Sequence, residues 1–143
     1  MSQISPVLIS DLMIDVNNPP LPTPALGQRE ALRELAKHQG RKLVALAEDI
    51  AANGLNPADL LIVMPFPNSN SRYVVLEGNR RFVTLKCLEA PDTLNDNGMD
   101  AKILTEIRRL SKLYQESPID YVQCCVCDSR DEAKHWIGTR SRP

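Results

Sequence analysis

The chain has 143 residues, the usual size of one domain, and its 43% hydrophobic and 24% charged residues are ordinary values for a globular protein. A net charge of -1 excludes the broad positive field of a non-specific nucleic-acid binder, so any anion-binding site must be local. No apolar stretch approaches the roughly 20 residues of a membrane span, and the first residues lack a signal-peptide pattern. We therefore expect a cytoplasmic protein.

The first third of the chain predicts two short strands followed by two helices. Prolines are frequent before residue 25 and exclude a regular helix there, whereas the apolar runs at 7–10 and 12–14 each suit an edge strand, with a turn at 17–20. From Gln28 the apolar residues recur at helical spacing until Gly40. A second helix presents Leu43, Leu46, Ala47 and Ile50 on one stripe and closes at Gly54.

The rest of the chain alternates strands and helices. Runs at 60–64 and 72–76 predict two strands joined by a loop, and a helix begins after residue 81. Residues 91–100 are acidic and polar and predict a surface excursion, and a basic amphipathic helix follows them. A strand at 119–126 and a last helix capped by Asp128 or Ser129 complete the pattern. The sequence thus predicts an α+β fold: a small mixed sheet of about four strands with helices packed around it. The apolar face predicted for the basic helix consists of Ile103, Leu104, Ile107, Leu110 and Leu113.

Three of the four cysteines crowd into the last strand, at Cys124, Cys125 and Cys127. Because neighbouring residues of a strand point to opposite faces, this spacing suits buried thiols better than a disulfide framework. A zinc site would require four ligands, usually with two-residue gaps between paired cysteines. We therefore expect no metal bound by these side chains.

The strongest local signal is the run Gly78, Asn79, Arg80 and Arg81 between a strand end and a helix start. Glycine permits a tight turn, the free amides of a first helical turn point outward, and two guanidinium groups follow at once, a combination that suits a phosphate group. The alternative is an ordinary helix start whose arginines pair with Glu77 or Glu89 on the surface.

A longer ordered set of motifs favours the phosphate interpretation. The segments LAEDIAANGLNP at 46–57, LIVM at 61–64 and YVVLEGNRRF at 73–82 follow one another, and YVQCCVCD at 121–128 precedes a helix containing Asp131, Glu132 and Ala133. In this order they resemble the N-terminal domain shared by ParB and sulfiredoxin, over residues 7–138. The match is closer to ParB, because sulfiredoxin carries a nucleophilic cysteine where Asn79 stands.

The resemblance implies a nucleotide-binding domain. ParB-type domains bind CTP or another nucleotide with magnesium, with the arginine box on the phosphates, and act as switches in DNA-associated systems. ParB usually carries Glu where Asn79 stands, so we expect weak or no hydrolysis here. The resemblance also implies two candidate partners besides the nucleotide, namely DNA, bound through a region beyond this chain, and a second copy of the chain.

Two further departures from the ParB pattern concern the ends of the domain. The box that in ParB ends in an arginine is here Asn18, Pro19, Pro20, Leu21 and Pro22, so one phosphate contact is expected to be missing. ParB continues from its last helix into a DNA-gripping domain, whereas this chain ends at Pro143. We expect residues 1–143 to form a single domain that is shortened at its C-terminus.

Two other functions remain open on the sequence alone. A small-molecule kinase like the serine-kinase relatives would need a catalytic base, for which Glu48, Asp49 and Glu77 are the candidates. A DNA-directed, nuclease-like module would use basic residues such as Arg108 and Arg109, but the acidic segment before them nearly cancels their charge.

Overall fold

A computed structural model describes residues 2–17, 27–95 and 98–140 of the chain. The chain divides into two compact units. The first contains Met1–Asp15, Asn56–Asn79 and Ile119–Pro143, and the second contains Val16–Leu55 and Arg80–Pro118. All described strands belong to the first unit and most of the described helices to the second. The single domain expected over residues 1–143 stays a prediction.

The first unit is built on a mixed sheet whose five described strands have the order β1-β5-β3-β4-β2. β1 pairs antiparallel with β5, β3 pairs antiparallel with β4, and the β3/β5 and β2/β4 pairs are parallel. The α+β prediction is confirmed, with one strand more than the expected four or so. Both strands predicted at the N-terminus are edge strands, although β1 begins earlier than its apolar run. The strands are β1 (Gln3–Leu8), β2 (Leu12–Ile14), β3 (Leu61–Pro65), β4 (Tyr73–Glu77) and β5 (Tyr121–Val126).

One helix, α5 (Arg130–Arg140), packs on β3 and β4 within the first unit. Ser129 begins it as predicted, because its hydroxyl oxygen accepts from the N–H of Glu132 at 3.2 Å. The contact with the sheet is an apolar cluster, which excludes water from that face. The cluster consists of Ile62, Leu76, Cys125, Cys127, Ala133 and Ile137.

An ion pair fixes the start of α5 to the chain just after β2. The Arg130 guanidinium donates to both carboxylate oxygens of Asp15, at 2.9 and 3.0 Å, and Asp15 is buried. The bidentate hydrogen bond to Asp15 raises the pKa of Arg130 above its ordinary value. This contact joins two segments that are 115 residues apart in the sequence.

The second unit consists of helices, with ends set by glycines where the sequence indicated. Gly40 (φ 56°) separates the first two helices and Gly54 (φ 75°) closes the second, both in the left-handed region that favours glycine. The helix after Gly78 buries residues on most of its circumference. The helices are α1 (Gln28–Gln39), α2 (Arg41–Asn53), α3 (Asn79–Glu89) and α4 (Ala101–Tyr114), of which α3 takes its first residue from the first unit.

Two sequence predictions in this unit were wrong in detail. Residues 91–100 are not wholly a surface excursion, because Pro91–Leu94 forms a 3₁₀ turn whose Leu94 is fully buried and packs with α1 and α4. Asp96 and Asn97 lie outside the described residues. The apolar face of α4 is also rotated from the prediction, since Tyr114 is buried and Leu113 is 45% exposed. Ser111 is buried on that face because its hydroxyl donates to the carbonyl of Leu88 at 2.6 Å.

None of the described helices has the length and apolar composition required to cross a membrane. The predicted turn at 17–20 and the box at 18–22 fall almost wholly outside the described residues.

Candidate functional site

The predicted phosphate-binding run lies at a sharp turn from β4 into α3. β4 ends at Glu77, Gly78 follows with φ 96°, and α3 begins at Asn79. A side chain is strained at this φ, which explains why glycine stands there. The pairing of β3 with β4 also slips just before the turn, since Ile62 is opposite Glu77 whereas the next residue of β3 is opposite Val75. Such a bulge bends a strand and redirects the residues at its end.

The carboxylate of Glu77 accepts a hydrogen bond from the first backbone amide of the turn. Its Oε1 atom accepts from the N–H of Gly78 at 3.1 Å, while Gly78 itself is buried and Glu77 is half-buried. The surface pairing of Arg80 with Glu77 that the sequence left open is not formed, because the Arg80 side chain makes no ion pair within the described residues. Glu89, the other acid considered as a partner, lies 3.8 Å from the ammonium of Lys86.

Asn79 carries a buried acceptor with no partner among the described residues. Its side-chain oxygen Oδ1 is fully shielded from solvent and accepts no hydrogen bond there. Leaving a buried polar atom unsatisfied costs free energy, and such atoms in native proteins call for a specific explanation. A carbonyl oxygen in this position can accept from a ligand N–H or coordinate a hard cation.

The two arginines follow in the first turn of α3, at the start of the second unit. Arg80 is exposed, and its side chain makes no hydrogen bond or ion pair within the described part of the chain. Its backbone carbonyl accepts from the Thr84 hydroxyl at 2.7 Å, which is a contact inside the helix. Arg81 is half-buried. At least one guanidinium of the box is thus available to an anion.

The other candidate acids lie elsewhere in the fold. Glu48 and Asp49 are exposed on α2, in the second unit, whereas Glu77 belongs to the first. Asp49 accepts from the side-chain amide of Asn53 at 2.9 Å, an ordinary contact along a helix. Only Glu77 of the three candidates is adjacent to the glycine turn.

The two arginines on the basic face of α4 are each paired with a carboxylate. Arg108 lies 2.9 Å from the carboxylate of Asp92, and Arg109 lies 2.8 Å from that of Glu106. The hydrogen bond and the charge of Glu106 raise the pKa of Arg109 above its ordinary value. These pairs agree with the interpretation of this face as solvated rather than as a nucleic-acid surface.

All four cysteines are free thiols, and of the three whose spacing predicted burial, Cys124 and Cys127 are buried and Cys125 is not. Cys87, Cys124 and Cys127 are buried and Cys125 is half-buried. Burial raises the pKa of Cys87 and of Cys124 to about 12, so both remain protonated thiols at neutral pH. In the described residues no group of three or more His, Cys, Asp or Glu side chains could hold a metal ion.

Sequence reasoning identified the run 78–81 but missed two of its features. The Glu77 contact with Gly78 depends on a side-chain rotamer, and the buried Asn79 oxygen depends on packing around the helix start, neither of which leaves a sequence signal. The glycine between a strand and a helix was the signal that pointed to this candidate site.

No protein-family model matches this chain, and no curated protein matches it. Among solved structures, the chain is similar to the C-terminally truncated chromosome-partitioning protein ParB from Caulobacter crescentus complexed with CTP-gamma-S. The two are 17% identical, with a TM-score of 0.45. The match covers 95% of this chain and 50% of that chain, so this chain spans about half the length of that structure.

Proposed function

We propose that this protein is a ParB-like nucleotide-binding domain that holds the phosphates of CTP or ATP at Gly78, Asn79, Arg80 and Arg81. The single observation that supports this most is the left-handed turn at Gly78, which leads directly into α3 and the exposed guanidinium of Arg80, a group that has no partner among the described residues. Helix N-termini carry free amides and a partial positive charge, and both favour a phosphate.

Each residue of the run has a distinct part in this proposal. The backbone amides of Gly78 and Asn79 donate to phosphate oxygens, and Arg80 and Arg81 neutralise their charge. Arginine suits this part because its planar donors match two oxygens of one phosphate. The ordered motifs around the box, which resemble those of ParB over residues 7–138, support the same assignment.

We propose that magnesium accompanies the nucleotide at this turn. Magnesium prefers oxygen ligands. Two candidate ligands belong to the first unit, namely the buried Oδ1 atom of Asn79 and the carboxylate oxygens of Glu77. These two residues would hold the ion, which would neutralise phosphate charge when bound. The residues of the chain itself form the turn at Gly78 and place Arg80 in the first turn of α3.

Hydrolysis is proposed to be weak or absent, because Asn79 cannot act as the carboxylate that ParB usually carries at this position. The bound nucleotide then acts as a switch in a DNA-associated system, with DNA contacted by a region outside residues 1–143. We also propose that two copies of the chain pair. Light scattering with and without nucleotide tests this pairing.

Calorimetric titration of the whole chain with CTP, ATP and GTP in the presence of magnesium tests the proposal. One of them is expected to bind, and Arg80→Ala to weaken that binding, whereas Arg29→Ala, an exposed arginine of α1, leaves it unchanged. Silence from all three nucleotides would contradict the proposal. ADP release that depends on added serine would instead favour the kinase, and a salt-sensitive shift of duplex DNA would favour direct DNA binding.

A further inference from the structure

The turn at Gly78 contains an internal anion. The Glu77 carboxylate accepts the Gly78 N–H at 3.1 Å, so one of the amides assigned above to the nucleotide phosphates already has a charged acceptor. Hydrogen bonds with a charged partner are stronger than neutral ones. A phosphate oxygen must therefore displace Glu77 to use this amide.

Charge repulsion between the Glu77 carboxylate and a phosphate adds to the cost of breaking the hydrogen bond to Gly78. Glu77 is half-buried, and like charges a few ångströms apart repel more strongly where water is partly excluded. A phosphate at Gly78 would lie beside this carboxylate. Displacement is thus unfavourable unless a cation stands between the two groups.

We propose that Glu77 is a built-in competitor that keeps phosphates off the Gly78 amide until a divalent cation draws its carboxylate away. This inference rests on the proposed function and adds the regulation of that same site. The cation arrives with the nucleotide, binds the released Glu77 carboxylate and so turns a repelling group into a ligand. The affinity for a polyphosphate then rises more with added cation than it would if the cation only neutralised the phosphate charge.

No other acid considered for the site combines these features. Glu48 and Asp49 are exposed on α2 of the second unit, and Glu89 is at the other end of α3, beside Lys86. Glu89→Gln therefore removes one negative charge from the chain without touching the turn. It is the matched control for any change at Glu77.

The test measures inorganic tripolyphosphate affinity by calorimetry, once in EDTA and once in magnesium chloride, for the wild type, Glu77→Gln, Glu77→Ala and Glu89→Gln. Glu77→Ala is expected to bind about tenfold tighter than wild type in EDTA, because a charge-assisted contact no longer has to be broken. Glu77→Gln keeps an acceptor and is expected to gain less. Both lose most of the enhancement that magnesium gives the wild type, whereas Glu89→Gln behaves as the wild type.

A second measurement reads the contact without any ligand. The Gly78 amide signal in a ¹H–¹⁵N spectrum is expected to shift strongly in Glu77→Ala and not in Glu89→Gln, and the same spectra verify that the variants fold. Wild-type binding with magnesium but unchanged affinity of Glu77→Ala in EDTA would overturn the competition and leave the proposed function standing. Absence of tripolyphosphate binding by every variant under both conditions would overturn both.

Discussion

Two pairs of adjacent arginines in the second unit look alike in the sequence and differ in the structure. Arg108 and Arg109 lie on α4, and each is held by a carboxylate, from Asp92 and from Glu106. Arg80 and Arg81 lie in the first turn of α3, and Arg80 has no such partner within the described residues. We therefore place the proposed anion site at the first pair, where Arg80 follows a turn into a helix start, and not at the second pair, where both arginines are paired with carboxylates.

The largest expected effect is on ligand binding at the first pair. Arg80→Ala should weaken binding of the nucleotide about 10- to 100-fold, because one charge-assisted contact with phosphate is lost. Unfolding in urea should change little, since Arg80 is exposed and contacts no other side chain through a hydrogen bond or ion pair in the part of the chain that the structure describes. Equal loss of binding in Arg108→Ala would remove the distinction between the two pairs.

The next effect concerns the turn that sets the first pair apart. Gly78→Ala places a side chain at φ 96° and should lower the free energy of unfolding by about 1–2 kcal/mol. Gly138→Ala is the control, because Gly138 is inside α5 with nothing within 4 Å of an added Cβ. Alanine there should stabilise by about 0.5–1 kcal/mol. Urea unfolding curves of the two variants that move in the same direction would contradict this account of the turn.

The starts of α3 and α4 also differ, and a smaller effect is expected there. α4 is capped by its own acid, since the Asp100 carboxylate accepts from the N–H of Lys102 at 2.7 Å. Asp100→Ala should therefore cost about 1 kcal/mol of stability. It should leave nucleotide affinity unchanged, which calorimetry can verify. A loss of affinity in this variant would mean that the start of α4 also takes part in binding.

The smallest effect is expected at the neutralised pair. Arg108 and Asp92 are 45% and 77% exposed, and exposed ion pairs contribute about 0–1 kcal/mol. Arg108→Ala should thus change the unfolding free energy by less than about 1 kcal/mol. Raising the salt concentration should shrink even that difference, because salt screens exposed charges. A larger, salt-independent cost would show that this pair holds the 3₁₀ turn to α4.

Much of the fold was predictable because its signals are local. Helical spacing and the glycines at 40 and 54 set the ends of α1 and α2, and the glycine at 78 located the change from strand to helix. The burial of Leu94 was not predictable, because the segment around it is polar and acidic and only packing with α1 and α4 covers it. For the same reason the sequence did not predict that Leu113 is exposed on α4 while Tyr114 is buried.

The candidate site was predictable only in its backbone. Glycine followed by arginines indicated where a phosphate could bind, but the Glu77 contact and the buried Asn79 oxygen depend on three-dimensional packing. The ion pair between Asp15 and Arg130 joins residues that are too distant in the sequence for any spacing rule to connect. Local chemistry thus predicted the turn, and tertiary contacts decided which of its groups remain available.

The central claim is that residues 78–81 bind phosphate. The most direct test follows the backbone amide signals of the whole chain by NMR during titration with CTP and magnesium. We expect the largest shifts at Gly78, Asn79 and Arg80, and no shift of the Arg108 and Arg109 signals. Shifts centred on the α4 arginines, or a spectrum that does not change when CTP, ATP and GTP are each added in excess, would contradict it.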